Sequence, residues 1–216
     1  MDPATLDRLQ SEFPGCIWAL WSETFPEADC IEGDCERFTA FIHANRDRLN
    51  DRVVLISLNP STHDPPGYLK VHLTAARHYD SRLKAFIQDN GLENIIGAYM
   101  TDIVPDVVDR DSNQVSPENV DVERFIEQLR VLGNEEYDVI YFSRQAFETL
   151  QMYFAAEPME LRYELSGFDA STDEFTVSVY RVWHYSNYGA NQDKVGKLKQ
   201  QLRYLNDEML NPRSAD

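Results

Sequence analysis

Cysteine is scarce in this sequence, and the cysteines present form no recognisable pattern. Among 216 residues there are three, Cys16, Cys30 and Cys35, and no two of them form a CxxC pair. An odd number without that spacing excludes a disulfide framework within the chain and a four-thiolate metal site. The five histidines are not paired at metal-ligand spacing either. We therefore expect reduced cysteines, no metal and no cofactor.

Long apolar runs are also missing. No stretch approaches the ~20 apolar residues that span a bilayer. The first residues, MDPATLDRL, lack the basic and apolar regions of a secretory signal. These absences predict a soluble cytoplasmic protein with no membrane partner.

Basic residues are few, and their distribution is uneven. Twenty Lys and Arg face 37 Asp and Glu, a formal charge of −17, which opposes binding to a phosphate backbone. Nine of the twenty cations nevertheless fall in two short stretches, 63–84 with a net +2 and 181–204 with a net +4. Taken alone, this pattern fits ordinary solvated helix faces better than a small basic surface on an acidic body, and both interpretations stay open.

Several standard catalytic motifs are absent. The sequence contains no GxGxxG, HExxH or GxSxG. The segment from Gly189 to Lys197 resembles a phosphate loop, but six residues separate its glycines where that loop needs four. These common routes to nucleotide, metal or acyl chemistry are therefore excluded.

The sequence does contain short apolar runs that alternate with helical patterns. With 43% hydrophobic residues, the chain can build a substantial core. Alternation of this kind predicts an α/β fold, a three-layer α/β/α sandwich with a central, mostly parallel four-stranded sheet. We expect one domain over 1–216, with 1–52 as a helical lead-in packed on it. The predicted strands are 53–58, 95–100, 137–142 and 175–183, and the predicted helices cover 35–49, 80–90, 116–132, 144–154 and 191–206, with a polar loop at 166–174.

Polar side chains follow the predicted strands, at the edge where parallel sheets bind ligands. Asn59 can orient a water molecule, or it can satisfy its own turn. Asp102 can accept hydrogen bonds from a ring N–H or an amine, or it can cap the next loop. His184 can donate to developing negative charge, or it can be tied into core hydrogen bonds. Ser186 and Asn187, before a basic helix, suit phosphate oxygens, although ordinary N-capping explains them nearly as well.

The four strand-end segments resemble those of the uracil-DNA glycosylase superfamily. The resemblance covers roughly residues 53–205, and it lies in order and position more than in any long motif. Ser57-Leu58-Asn59-Pro60-Ser61 is similar to the first glycosylase motif, and also to the Leu-Asn-Pro-Ser-Thr motif of an uncharacterised bacterial branch. The second and third segments are Tyr99 to Val104 and Phe142 to Ala146. Trp183-His184-Tyr185-Ser186-Asn187 resembles the fourth, a His-Pro-Ser loop.

The resemblance implies an enzyme that hydrolyses the N-glycosidic bond of a base in DNA or in a nucleotide. Asn59 would position the attacking water and His184 would stabilise the departing base, while Asp102 would read the base. Candidates for an aromatic platform under a flipped base are Tyr68, His72 and Tyr79, which can instead pack a loop. Ser61, Ser186 and Asn187 would contact phosphate.

Three departures from the family pattern weaken the case for excision of uracil, and Asp102 weakens it most. Ser57 replaces a glycine, Asp102 replaces the amide that selects uracil, and Tyr185 replaces a proline. A carboxylate is repelled by the carbonyls of uracil but can accept from the amine of cytosine or adenine. The alternative, which Asp102, Tyr185 and the net charge of −17 favour, is a non-catalytic protein of the same fold that binds a nucleobase, a nucleotide or nucleic acid.

Overall fold

The computed structural model describes residues 1–13, 16–20, 35–59, 80–88, 90–107, 109, 111, 114–184 and 192–210. Within these residues the α-helices are α1 (Pro3–Glu12), α2 (Cys35–Ala44), α3 (Asp80–Gln88), α4 (Asn119–Leu132), α5 (Arg144–Tyr153) and α6 (Gln192–Tyr204). The strands are β1 (Ile17–Trp18), β2 (Asn50–Ser57), β3 (Ala98–Asp102), β4 (Glu136–Tyr141), β5 (Met159–Glu160), β6 (Ser166–Ser171) and β7 (Thr176–Arg181).

The strands form one mixed sheet, so the predicted α/β class is confirmed. In the described part of the chain the sheet has seven strands in the order β1-β3-β2-β4-β7-β6-β5. Strand β2 pairs in parallel with β3 and β4, and β4 pairs in parallel with β7. The predicted four-stranded sheet is wrong in extent, because those four strands are only the parallel centre of a larger sheet. Antiparallel strands extend it at both edges.

The three additional strands carry weak sequence signals. Strands β1 and β5 have two residues each, too short for a pattern to register. Strand β6 reads SGFDAS, turn-like in composition, and it lies where a polar loop was predicted. It becomes a strand because β7 offers it an antiparallel partner, with fully buried Phe168 opposite Val179. The lead-in 1–52, expected to be helical, likewise contributes β1 and the start of β2.

The centre of the sheet is buried on both faces, which explains its unbroken apolar runs. In β2, Val54, Leu55 and Ile56 are at most 1% exposed. Helix α4 packs on one face, where the ring of Phe125 meets that of Tyr141 edge to face at 6.4 Å.

The ends of α4 show one wrong and one correct prediction. The helix begins at Asn119 and not at Ser116, because the Asp121 carboxylate accepts a hydrogen bond of 2.8 Å from the backbone N–H of Glu118. It ends at Gly133, as predicted, where φ is +79°. Glycine is favoured there because other residues have a Cβ that opposes this conformation.

We expect Gly133→Ala to lower the free energy of unfolding by about 1 kcal/mol, because alanine is strained at positive φ. The matched control is Gly196→Ala inside α6, which should raise it by roughly 0.5–1 kcal/mol through helix propensity. An added Cβ has no atom within 4 Å at either site, so packing does not differ. Urea unfolding measures both changes. Changes of the same sign in the two variants would contradict the claim that the positive φ of residue 133 requires glycine.

A carboxylate lies buried in the sheet away from the strand ends. Asp138 in β4 is 8% exposed, and the Tyr180 hydroxyl donates to its Oδ1 at 3.5 Å. Burial raises the pKa of Asp138 to about 6, and the charge of Arg52 opposes that rise only in part. The fold therefore favours the neutral carboxyl group. Its contribution to stability is complete below about pH 4, the value of an unfolded aspartate, and is lost as the pH rises through the folded pKa.

We expect Asp138→Asn to match the wild type at pH 4 and to be more stable at pH 8 by roughly 2–3 kcal/mol, since asparagine carries no charge to bury. Urea unfolding at several pH values measures this difference. The control is Asp169→Asn, an exposed carboxylate that accepts from Ser178 in the same sheet. A difference between Asp138→Asn and wild type that does not vary with pH would contradict the prediction.

Candidate functional site

The parallel centre of the sheet brings four strand ends to one edge. Ser57 ends β2 in register with Asp102 at the end of β3. Tyr141 ends β4 in register with Arg181 at the end of β7. Adjacent strands lie about 4.8 Å apart, and the order is β3-β2-β4-β7. Of the predicted site residues, Asn59 and His184 therefore leave the same edge on strands that have only β4 between them.

Asn59 comes two residues after β2 and binds the loop that follows β3. Its side-chain Nδ2 donates to the carbonyl oxygens of Val107 at 3.2 Å and Asp109 at 2.9 Å. The same loop continues the sheet ladder, because the backbone N–H of Val104 donates to the carbonyl of Leu58 at 2.9 Å. Both amide hydrogens thus hold the loop. Any water that Asn59 orients must be held through Oδ1.

Asp102 is inside β3 and not beyond it, because the strand ends two residues later than predicted. It is 1% exposed. A ligand can therefore meet its carboxylate only after a conformational change. On the same sheet face, the Ser57 Oγ is buried and makes no hydrogen bond within the described residues. Ser57 thus occupies a closed, packed position.

His184 is half-buried and lies three residues beyond β7. Its ring meets the ring of Phe142, just after β4, edge to face with centroids 6.3 Å apart. The last ladder bond of β7 on this side joins the N–H of Val182 to the carbonyl of Tyr141 at 2.9 Å. The histidine is therefore held against the neighbouring strand end and retains some exposure, as a hydrogen-bond donor to a ligand requires.

The sequence indicated the lysines of α6, as part of the basic stretch 181–204, but not the buried Gln201 beside this strand end. The ammonium groups of Lys194 and Lys197 lie 5.1 and 5.8 Å from the centre of the Trp183 ring. Gln201 is 1% exposed, and its Oε1 accepts from the N–H of Trp183 at 2.9 Å. The signal in the sequence for Gln201 was its position beside the apolar stripe of the helix, which contains Leu198 and Leu202. The arrangement places positive charge one residue from His184.

Six of the predicted site residues lie outside the described residues. They are Ser61, Tyr68, His72, Tyr79, Ser186 and Asn187. Their roles in stacking and phosphate binding stay predictions.

Two further features bear on partners. Among the described residues, no group of three or more His, Cys, Asp or Glu side chains is arranged to hold a metal ion. Within that part of the chain, every helix is too short or too polar to cross a bilayer. Cys16 is 2% exposed, and burial raises the pKa of its thiol to about 12, which disfavours the reactive thiolate.

No protein-family model matches the chain. No curated protein matches it either. What the site does must therefore be inferred from its own residues.

We expect Asn59→Ala to lower the free energy of unfolding by roughly 1–2 kcal/mol, because two hydrogen bonds to the loop after β3 are lost. Hydrogen exchange should accelerate at the amides of Ile103 and Val104. The matched control is Asn45→Ala, which removes a bond of 2.8 Å to the carbonyl of Phe41 and one of 3.4 Å from Arg48, both away from the loop after β3. Unchanged exchange at Ile103 and Val104 in Asn59→Ala would show that this amide does not hold the loop.

Proposed function

We propose that this protein is a uracil-DNA glycosylase-like enzyme that hydrolyses the N-glycosidic bond of a base in DNA or in a smaller nucleotide. The observation that carries the proposal is the placement of Asn59 and His184 on one edge of a parallel sheet. An amide and an imidazole there can approach one ligand from the ends of β2 and β7, which have only β4 between them. We also propose that the fold is a three-layer α/β/α sandwich and that the protein is cytoplasmic.

The chemistry assigns a separate task to each side chain. In hydrolysis the bond from the sugar C1′ to the base nitrogen breaks, its electron pair leaves with the base, and a water oxygen bonds to C1′. The water's proton is released and the base takes up a proton. Asn59 accepts a hydrogen bond from that water through Oδ1. His184 donates to the departing base, where negative charge develops, and such preorganised donors lower the barrier most.

The charge around α6 favours a phosphate-bearing substrate. Four cations, Lys194, Lys197, Lys199 and Arg203, lie on this helix against a single acid, Asp193. Lys194 and Lys197 lie over Trp183, directly before His184, and the ion pair with Glu164 offsets the charge of Lys197. The second basic stretch, 63–84, lies mostly outside the described residues. A local positive surface on a chain of −17 can attract phosphate while the rest of the protein repels it.

The test of catalysis is release of free base, or formation of an alkali-labile site, across deaminated and damaged bases in DNA and in nucleotides. We expect at least one substrate to react and the Asn59→Ala, His184→Ala double variant to lose activity by at least about 10²-fold. The matched control is Asn45→Ala combined with His43→Ala, since His43 pairs with Asp7 on the surface. Activity that is equal in wild type and double variant would remove the assigned chemistry.

A non-catalytic binding protein is the second candidate. Two observations favour it: both Nδ2 hydrogens of Asn59 are committed to the loop, and Asp102 is closed to solvent. This candidate predicts saturable binding without turnover. Affinity that falls steeply with salt would indicate several phosphate contacts, since each contributes a slope of about −0.9 on logarithmic axes. Lys194→Ala should reduce that slope, and Arg48→Ala, an exposed cation on another part of the chain, should not.

A further inference from the structure

The hydrogen-bond partner of the backbone at the end of β7 changes just before His184. Up to Val182 the sheet ladder holds it, through the bond from Val182 to Tyr141. The next N–H, that of Trp183, donates instead to the side-chain Oε1 of Gln201 on α6 at 2.9 Å. The direction in which the chain leaves the sheet is therefore set by a helix side chain. His184 is the next residue.

Gln201 itself has only one orientation that satisfies its surroundings. While Oε1 accepts from Trp183, Nε2 donates to the backbone carbonyl of Tyr163 at 3.0 Å. A flipped amide would place its N–H groups against the Trp183 N–H and its oxygen against a carbonyl. Because the side chain is 1% exposed, water cannot replace either bond. The amide therefore joins two separate backbone segments rigidly.

The segment on the other side of Gln201 is strained. Tyr163 and Glu164 have φ of +61° and +58°, a left-handed conformation that costs non-glycine residues about 1–2 kcal/mol each. Helix α6 holds this turn from one face. Lys197 pairs with the Glu164 carboxylate at 2.6 Å, and the rings of Tyr163 and Tyr204 meet with centroids 5.9 Å apart.

The side chains that contact Trp183 and those that contact the strained turn lie on the same face of α6. Lys197, Gln201 and Tyr204 follow the i, i+4, i+7 spacing of one stripe of α6. Lys197 also covers the ring of Trp183 at 5.8 Å. The strained turn at 162–164 is thus bound to α6, the helix that also binds the backbone before His184. Strain of this kind persists where the surrounding structure determines it, and it is often found at functional sites.

We propose that Gln201 is a positioning residue, which fixes the backbone of Trp183 and thereby holds the His184 imidazole against Phe142 in the orientation that a ligand requires. This inference rests on the function proposed for His184. Gln201 does not touch the reacting atoms in this assignment. It acts through the Trp183 N–H alone.

The test compares Gln201→Met with the wild type in the full chain. Methionine keeps the length and the unbranched shape but has neither hydrogen bond. Two readouts report on positioning: hydrogen exchange of the Trp183 amide, and the ring-proton resonances of His184, which the Phe142 ring shifts. We expect faster exchange at Trp183 and His184 resonances displaced toward those of a histidine without a ring neighbour. On the reactive substrate, turnover should fall roughly 10- to 100-fold with KM little changed.

Two controls separate positioning from general loosening. Gln128→Met makes the same substitution at another buried glutamine, whose Oε1 accepts from the Tyr99 hydroxyl at 2.8 Å, and it should leave His184 unchanged. Gln201→Glu provides the rescue. A protonated carboxyl group can accept from Trp183 and donate to Tyr163, so at acidic pH this variant should protect the Trp183 amide almost as the wild type does.

Each outcome decides the proposal. Unchanged His184 resonances in Gln201→Met, equal displacement in Gln128→Met, or no protection of Trp183 in Gln201→Glu would overturn it. If Gln201→Met does not fold, the Gln201→Glu measurement decides. If the wild type releases no base from any substrate, the proposed enzymatic function fails, whereas the resonances of His184 still show whether Gln201 positions it.

Discussion

Parallel pairing of β3, β2, β4 and β7 is the constraint on which the rest of the structure depends. Since all four strands run in the same direction, their carboxyl ends meet at one edge, and segments far apart in sequence become neighbours. The apolar runs that build these strands are hidden on both faces. Burial of that surface stabilises the sheet, and the sheet in turn places the polar residues that follow each strand. Any ligand site at this edge depends on that pairing.

The edge is maintained by side chains that also hold loops. Asn59 binds the loop after β3 with both of its amide hydrogens, so the residue proposed to orient water also anchors that loop. The arrangement makes Asn59 rigid, which suits precise placement of a water molecule. It also limits the contacts that the amide can offer to a ligand. Catalysis and loop anchoring can coexist in this residue only because an amide has an oxygen as well as two N–H groups.

Helix α6 combines charge with support. Lys194 and Lys197 place their ammonium groups over the Trp183 ring, and the buried Gln201 fixes the backbone before His184. The ion pair from Lys197 to Glu164 stabilises a turn whose backbone is strained. A helix that appears from its sequence to be a solvated basic surface is therefore also the element that orients the end of β7.

The sequence by itself determined the class of fold, the four central strands and the edge where polar residues gather, because burial on both faces leaves an apolar run that any reader can recognise. It also determined the end of α4 at Gly133, where the positive φ requires glycine. Only the tertiary structure decided the three outer strands, since two are too short for a pattern and β6 depends on its partner β7. Likewise, only the fold could bury Asp102, bind the amide of Asn59 to a loop and hydrogen-bond Gln201 to the N–H of Trp183. Those contacts join residues distant in the chain, and no local pattern encodes which partner a polar side chain will meet.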